Sequence, residues 1–341
     1  MTKWLDSSGK DEDVVVSTRL RIARNIEDYR FPDFMSIDES NAVTNKVLDA
    51  MKSSDDIYNF YRINDLNNTE RNVFVEEHLI SPSLIETSKN ASFLLRCDEK
   101  ATIMINEEDH IRIQVLLPGF DIEKGWNISS SIDDLLEERI EYSFDEKFGY
   151  LTSCPTNVGT GLRASVMVHL PCIAVIGHLN EIIEGLRKIG LTTRGLYGEG
   201  SKALGHFFQI SNQTTLGESE EDIIKKLTKV VYQIVNRERS TRDYMLNKRK
   251  LEFEDRVFRS LGILNYSRLI TSTEAMTHLS NVKLGCDMGI IKNMNSKDIV
   301  KLMVEIQPAS IQRDISKEMK KEERNMYRAD KLRKRLSNLE G

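Results

Sequence analysis

Residues 14–25, VVVSTRLRIARN, open with a β-branched run and then alternate, setting Leu20 and Ile22 on one side of an extended chain and Arg19 and Arg21 on the other. Charge on sheet positions is unusual, so two arginines pointing the same way limit the sheets that can hold this strand. The alternation returns at 111–117 (IRIQVLL), with Arg112 opposite Ile111 and Ile113. Residues 92–96 and 101–105 also read as strands, and NEEDH at 106–110 forms a polar turn. Neighbouring strands joined by such short turns pair antiparallel rather than through crossover helices.

Helical periodicity follows. The pattern predicts a helix over 131–142, capped by Ser131 with Asp134 three residues on and striped by Ile132, Leu135, Leu136 and Ile140. A second spans 178–189, with Gly190 where a left-handed cap belongs, and a third runs over 219–240 from Ser219 and Asp222. Strand-like pieces at 164–170, 192–197 and 206–211 lie between them. Beyond about residue 245, polar helices punctuated by Gly262, Gly285 and Gly289, with a capping-box pattern at Thr271 and Glu274, read as a separate unit. The expectation is an α+β fold: a largely antiparallel sheet flanked by helices in residues 1–245, then an all-helical domain over 246–341.

At 341 residues and 40% hydrophobic content the chain can bury a sizeable core. Cys97, Cys154, Cys172 and Cys286 form no C-x-x-C pair, which argues against a zinc site or disulfide framework. No apolar run approaches the ~18 residues of a membrane span, so a cytoplasmic protein is expected. The formal charge of −5 gives no reason to expect nucleic-acid binding, although residues 312–341 hold ten Lys/Arg against six Asp/Glu. A basic, helix-prone tail is ordinarily a solvated helix.

The chemistry lies in the strand arginines Arg19, Arg21, Arg112, Arg163 and Arg194. An exposed sheet face explains any one of them, whereas a cluster suits bidentate contacts to phosphate. Acidic residues stand beside them: Glu107 and Glu108, for which a solvated turn is the plain alternative, and Glu199 in the glycine-rich GLYGEGS. The run CPTNVGTGLRAS mimics a dinucleotide fingerprint, but the following ASVMVHLP is β-rich, so that reading fails. Walker A and eukaryotic kinase signatures are missing. Cys154 cannot be judged from spacing, since a lone cysteine is ordinarily inert.

Taken together these segments resemble the phosphagen (guanidino) kinases. CPTNVGT resembles their signature, NEEDHIRIQ their glutamate-bearing turn, STRLR their paired arginines and TTRGLYGEGS their substrate loop, all in family order from about residue 14 to 245. Within the family the chain is similar to the bacterial protein arginine kinases. The arginine strand begins near residue 17, without the helical domain that encloses small guanidines, and DRVFRSLGILNYSRLITSTEAMTHLSNVKLGCDMG resembles their C-terminal domain.

The resemblance implies transfer of the ATP γ-phosphoryl group, with Mg²⁺, to arginine side chains of proteins. Two alternatives stand beside it: a kinase for a free guanidine, and a non-catalytic phosphoarginine-binding adaptor. It implies that Arg19, Arg21, Arg112, Arg163 and Arg194 clamp phosphate and that His78 contacts the nucleotide. The nucleotide-binding stretches it implies are Ser17, Thr18, Arg19, Leu20 and Arg21; Arg163, Ala164, Ser165, Val166 and Met167; and Arg194, Gly195, Leu196, Tyr197, Gly198 and Glu199. Glu108 and Glu199 would hold the guanidinium, Glu108 as base, beside Cys154. Mg²⁺ would rest on phosphate oxygens and water, with no dedicated protein ligand. Met167 replaces the family's polar contact. In the tail, Arg324-Asn325-Met326-Tyr327-Arg328-Ala329 departs from a phosphoarginine-binding R-D-x-x-R-A motif by an asparagine that carries no charge. Implied partners are arginine-bearing proteins, a second copy of the chain, a zinc-binding activator and a Clp-type unfoldase, in a stress response.

Overall fold

The computed structural model describes residues 2–86, 90–195 and 204–340. An N-terminal strand β1 (Val15–Arg24) leads through helix α1 (Ile37–Met51) to β2 (Tyr58–Arg62), α2 (Asn68–Glu76) and α3 (Pro82–Glu86). Strands β3 (Ser92–Arg96), β4 (Ala101–Ile105) and β5 (Ile111–Pro118) precede α4 (Ile122–Glu137) and a hairpin, β6 (Phe144–Asp145) with β7 (Gly149–Tyr150). Next come β8 (Leu162–His169), α5 (Pro171–Val175), α6 (Leu179–Lys188), β9 (Leu191–Gly195), β10 (Phe207–Asn212) and the long α7 (Glu220–Lys248). The chain ends in α8 (Lys250–Tyr266), α9 (Ser272–Asp287), α10 (Ser296–Glu305), α11 (Pro308–Ile315) and α12 (Lys321–Glu340).

The main sheet has the order β2-β3-β4-β5-β1-β8-β10-β9, every neighbouring pair antiparallel. Strand β1 lies at its centre because its Leu20 and Ile22 are fully buried, together with Ile113, Val115, Ala164, Val166 and Ile210, on the side covered by α4 and α7. Each of the valine, leucine and isoleucine side chains contributes roughly 1.5–3 kcal/mol on burial. The opposite side carries the arginines. A second core joins α8, α9, α10 and α12 to Phe207, with Met167 and Leu204 packed against it, so these helices cover one end of the sheet. Among the described residues no helix is long and apolar enough to cross a membrane, and the four cysteines are free.

Several elements differ from the sequence expectation. Helix α4 begins nine residues before Ser131, and Ser131 Oγ donates back to the Asn127 carbonyl at 2.8 Å instead of capping. Gly125, four residues into that helix, lets it close on β1, since a Cβ there would lie 2.4 Å from Leu20 Cδ1. Helix α7 runs on to Lys248, and Gly262 and Gly285 sit inside α8 and α9 instead of breaking them. Ser219 and Thr271 do cap their helices, accepting from the Asp222 and Glu274 amides at 3.2 Å.

Candidate functional site

Pairing register puts the strand arginines on one face. Arg21 stands opposite Gln114 of β5 and Arg163 of β8, Arg19 opposite Ser165, and Arg112 opposite Ala23 two residues along β1. Arg194 of β9 faces Gln209 of β10, whose Oε1 accepts from Arg19 Nη2 at 2.7 Å. Each arginine keeps part of its surface in the cleft, yet surrounding protein excludes most of its hydration. Burial first, then Arg163 and Arg112, pulls Arg19 down to about 10, and burial with Arg19, Arg112 and Arg163 pulls Arg21 further down. Arg21 Nε is buried without a hydrogen-bond partner. Such crowding of like charge favours an anion with several acceptor oxygens.

His78 borders this face. Its backbone has φ of 62°, and its carbonyl and that of Leu79 accept from Gln114 Nε2 at 2.9 and 3.1 Å. Burial, aided by the charge of Arg19, pushes the imidazole down to about 4, so it is neutral at pH 7.

The 106–110 turn holds the acids. Glu107, for which a solvated turn was the plain alternative, is buried, accepts from Ser81 Oγ and lies 2.5 Å from Arg112 Nη1. Glu108 is exposed at 42%, and its Oε2 accepts from Arg112 Nη2 at 2.7 Å. The flanking residues immobilise the turn. Asn106, at φ of 59°, donates to the Ser40 carbonyl and Oγ on α1 at 3.0 and 2.8 Å. Asp109 Oδ1 accepts from Asn25 Nδ2 and from the Ser153 amide, both at 2.7 Å, and burial raises its pKa. His110 Nδ1 accepts from the Ile26 amide at 2.9 Å, so its proton sits on Nε2 and is donated to the Arg30 carbonyl at 2.8 Å.

Asp109 thereby ties the Glu108 turn to the loop bearing Cys154, one residue beyond Ser153. Cys154 Sγ lies 3.0 Å from Thr156 Oγ1, and Thr215 Oγ1 donates to the Thr156 and Val158 carbonyls. Asn25, Ser81, Asp109, His110, Gln114 and Gln209 were not singled out from sequence. Gln114 had a signal: it is the polar residue of IRIQVLL on Arg112's face.

Some expected residues lie elsewhere. Thr18, Leu20, Ala164 and Val166 are fully buried on the helix-covered side, and Thr18 Oγ1 donates to the Gly119 carbonyl at 2.7 Å. Their side chains cannot reach the arginine face, because alternation turns them away from it. Ser17, Ser165 and Met167 share the arginine face, while Gly195 ends β9 opposite Phe208. Leu196, Tyr197, Gly198 and Glu199 lie outside the described residues. In the tail, Arg328 is buried and donates to the carbonyls of Ile306 at 2.8 Å and Ile270 at 3.0 Å and to Asn325 Oδ1 at 2.7 Å. Through Nε and Nη1, Arg328 thus ties α12 to the end of α10 and the loop before α9, with Asn325 Oδ1 as an acceptor. Arg324, donating to the Met319 carbonyl at 2.6 Å, lines a cleft of about 530 Å³ between α2 and α11.

Comparison with known proteins agrees with this geometry. Residues 39–241 match the ATP:guanido phosphotransferase C-terminal catalytic domain, and 250–341 match the protein-arginine kinase McsB C-terminal domain. The protein-arginine kinase of Halothermothrix orenii is 45% identical over 99% of this chain and 97% of its own, and that of Brevibacillus brevis 46% over 98% and 95%. Among solved structures, a lombricine kinase superposes with a TM-score of 0.60 at 24% identity over 69% of this chain and 70% of its own. A duplicated taurocyamine kinase from Schistosoma mansoni with transition-state-analogue components gives 0.63 at 21% over 84% and 49%. The basic sheet face beside a fixed pair of glutamates is thus carried by a chain that belongs to the protein-arginine kinases, ATP-dependent phosphotransferases acting on arginine in proteins.

Proposed function

We propose that the arginine face seats the ATP triphosphate and that Glu108 is the base that activates the arginine of the protein substrate. The observation that carries this reading is Arg112, one guanidinium bonded to Glu107 at 2.5 Å and to Glu108 at 2.7 Å. Glu108 already grips a guanidinium edge, and the residue it grips belongs to the phosphate-facing set. Base and clamp are one side chain apart.

A guanidinium, with a pKa above about 12, is a poor nucleophile until it loses a proton. Glu108 accepts that proton as the terminal nitrogen bonds to the γ-phosphorus and the bond to the bridging oxygen of ADP breaks. Glu199 is the proposed second carboxylate, fixing the fork in line, with the Cys154 sulfur beside it. Alignment of this kind can supply about 7–11 kcal/mol. The loose transition state needs chiefly charge, which Arg19, Arg21, Arg112, Arg163 and Arg194 provide. Bound with the nucleotide, Mg²⁺ would supply further neutralisation of the phosphates; Glu107 and Glu108 are both engaged by Arg112, so the substrate rather than these carboxylates would hold it. His78, held neutral, and the apolar Met167 are the proposed nucleotide contacts.

The wider reading places this kinase in the cytoplasm as a marker of clients for a Clp-type unfoldase under stress, with a zinc-binding activator. A catalytic unit over 1–245 and a helical unit over 246–341 are part of it. Exposed Leu251, Phe258, Tyr266 and Leu269 in and just beyond α8 supply an apolar face for a second copy. The test of the site is Glu108→Gln. Transfer to an unfolded arginine-bearing protein should vanish while ATP affinity stays near that of the wild type, since clamp and base are separate groups. Turnover within about tenfold of wild type, less than the usual 10²–10⁴-fold contribution of a general base, would overturn the assignment.

A further inference from the structure

Two segments beside the Glu108 turn remain without a role. Residues 27–39 hold Glu27, Asp28, Asp33, Asp38 and Glu39 against Arg30, and residues 137–148 hold five acids against Arg139 and Lys147. They form one surface. Ile26 bridges to Tyr142, the Glu27 amide donates to the Glu141 carbonyl at 3.0 Å, and the Ser143 amide donates to the Asn25 carbonyl at 2.8 Å. That surface is fastened to the catalytic turn by bonds already described: Asn25 to Asp109, and His110 to Ile26 and Arg30.

Large apolar side chains stand exposed within it. Phe34 is 70% exposed, Ile37 65%, Phe144 58% and Phe148 45%. The hairpin bearing the last two is braced, with the Phe144 ring edge-on to Tyr150 at 5.2 Å and the Arg24 guanidinium 3.5 Å over the Tyr150 ring. Exposed apolar side chains on two joined segments, one of them a braced hairpin, among acids of one sign have the composition of a binding surface.

We infer that this acidic, apolar strip docks the polypeptide flanking the target arginine, and that it favours unfolded segments rich in basic and apolar residues. The inference rests on Glu108 being the base. The charge is opposite in sign to that of the arginine face, so ATP and polypeptide are drawn to different sides of the reacting atoms. An extended chain is favoured because its apolar side chains, hidden in a folded client, are then free to reach the four exposed ones.

The test uses the full-length enzyme and two synthetic peptides, each with one central arginine, flanked by lysine and leucine or by glutamate and serine. The wild type should prefer the basic peptide by about tenfold or more in kcat/KM at low salt, and the preference should shrink near 1 M salt, where screening acts over about 3 Å. Glu27→Lys with Glu141→Lys should raise KM for the basic peptide until the preference disappears, leaving kcat and the KM for ATP unchanged. Phe144→Ser with Phe148→Ser should weaken both the leucine contribution and binding of the basic peptide. Equal use of both peptides by the wild type, or preference retained in the charge-reversed enzyme, overturns the inference; so does a strip that receives a regulatory protein and leaves peptide choice untouched. Glu108→Gln separates the two ideas, because its activity judges the base whatever the peptide preference judges of the strip.

Discussion

Arginines meet two opposite environments in this molecule. At the junction between sheet and C-terminal helices, Arg242 Nε lies 3.0 Å from Glu238, with Asp13 at 3.7 Å and Asp287 at 3.9 Å, while Arg239 binds Asp11 and Asp13 at 2.7 and 2.5 Å. Lys283 completes the network at 2.7 Å from Asp287. The hydrogen bonds to Asp13 push Arg239 above its ordinary pKa. On the sheet face the balance reverses: Glu107 and Glu108 are both bonded to Arg112, while Arg19 and Arg21 sit among other arginines and burial drives the pKa values of those two arginines down. Matched charge at the junction fixes structure. Like charge crowded around Arg19 and Arg21 favours an anion, the role proposed above for the triphosphate.

The largest effect should come from removing that charge. Arg21→Met is expected to cut phosphoryl transfer by about 10²–10³-fold or more, the range for loss of one preorganised charge at a transition state. Thermal stability without nucleotide should hold or rise, because a desolvated cation among cations is gone. ATP at 100 times its Kd stabilises a protein by about 2.7 kcal/mol, and most of that shift in melting should be lost. A variant melting well below wild type, yet still stabilised by ATP, would show that the face is structural after all.

The junction should respond in the opposite way. Arg242→Met leaves Glu238, whose carboxylate also accepts from the Cys172 and Ile173 amides, buried beside Asp287 with fewer cations to balance it. Breaking a buried pair of this kind costs about 3–5 kcal/mol. Denaturant unfolding measures it, and a loss under 1 kcal/mol would erase the distinction between the two regions. Activity per folded molecule should change little.

The sequence disclosed the arginine face better than the junction, for a physical reason. Alternation within β1 and β5 is local, so Arg19, Arg21 and Arg112 could be set on one side from spacing alone. It also turned Thr18, Leu20, Ala164 and Val166 into the core, although family stretches had included them. Burial of Glu107 depends on Ser81, 26 residues earlier, and no local pattern shows that. Helix α4 was placed too late because Ser131 looks like a cap; its back-bond to Asn127 is the other local option for a serine. Gly285 read as punctuation, but it lets α8 and α9 approach, since a Cβ there would meet Val257 Cγ1 at 2.5 Å. Arg328 was singled out by its local motif alone, and its bonds to the carbonyls of Ile270 and Ile306, 58 and 22 residues away, leave no local pattern.

The smallest expected effect lies where the two regions meet. Strand β8 carries Arg163 on the arginine face and ends at His169, whose carbonyl lies 3.4 Å from Arg242 Nη2. Ser280 Oγ donates to the Gly205 carbonyl at 2.6 Å, so His169 Nε2 must donate to Ser280 Oγ at 2.8 Å. Burial, then Lys283, Arg242, His206 and Arg256, holds His169 well below its ordinary pKa, and Phe207 stacks on the ring. An unfolded histidine gains its proton near pH 6.5 and the folded one only at lower pH, so below about 6.5 the unfolded state binds more protons and stability falls. His78, His110, His206 and His278 shift the same way, whereas Asp109, Asp133 and Asp287, raised by burial, oppose them under more acidic conditions. His169→Gln, which keeps a donor for Ser280, should flatten the slope of unfolding free energy between pH 6.5 and 5 by at most one proton, about 1.4 kcal/mol per pH unit. An unchanged slope would mean that His169 takes up its proton as readily folded as unfolded, and that the positive charges of the junction are neutralised too well for the ring to sense them.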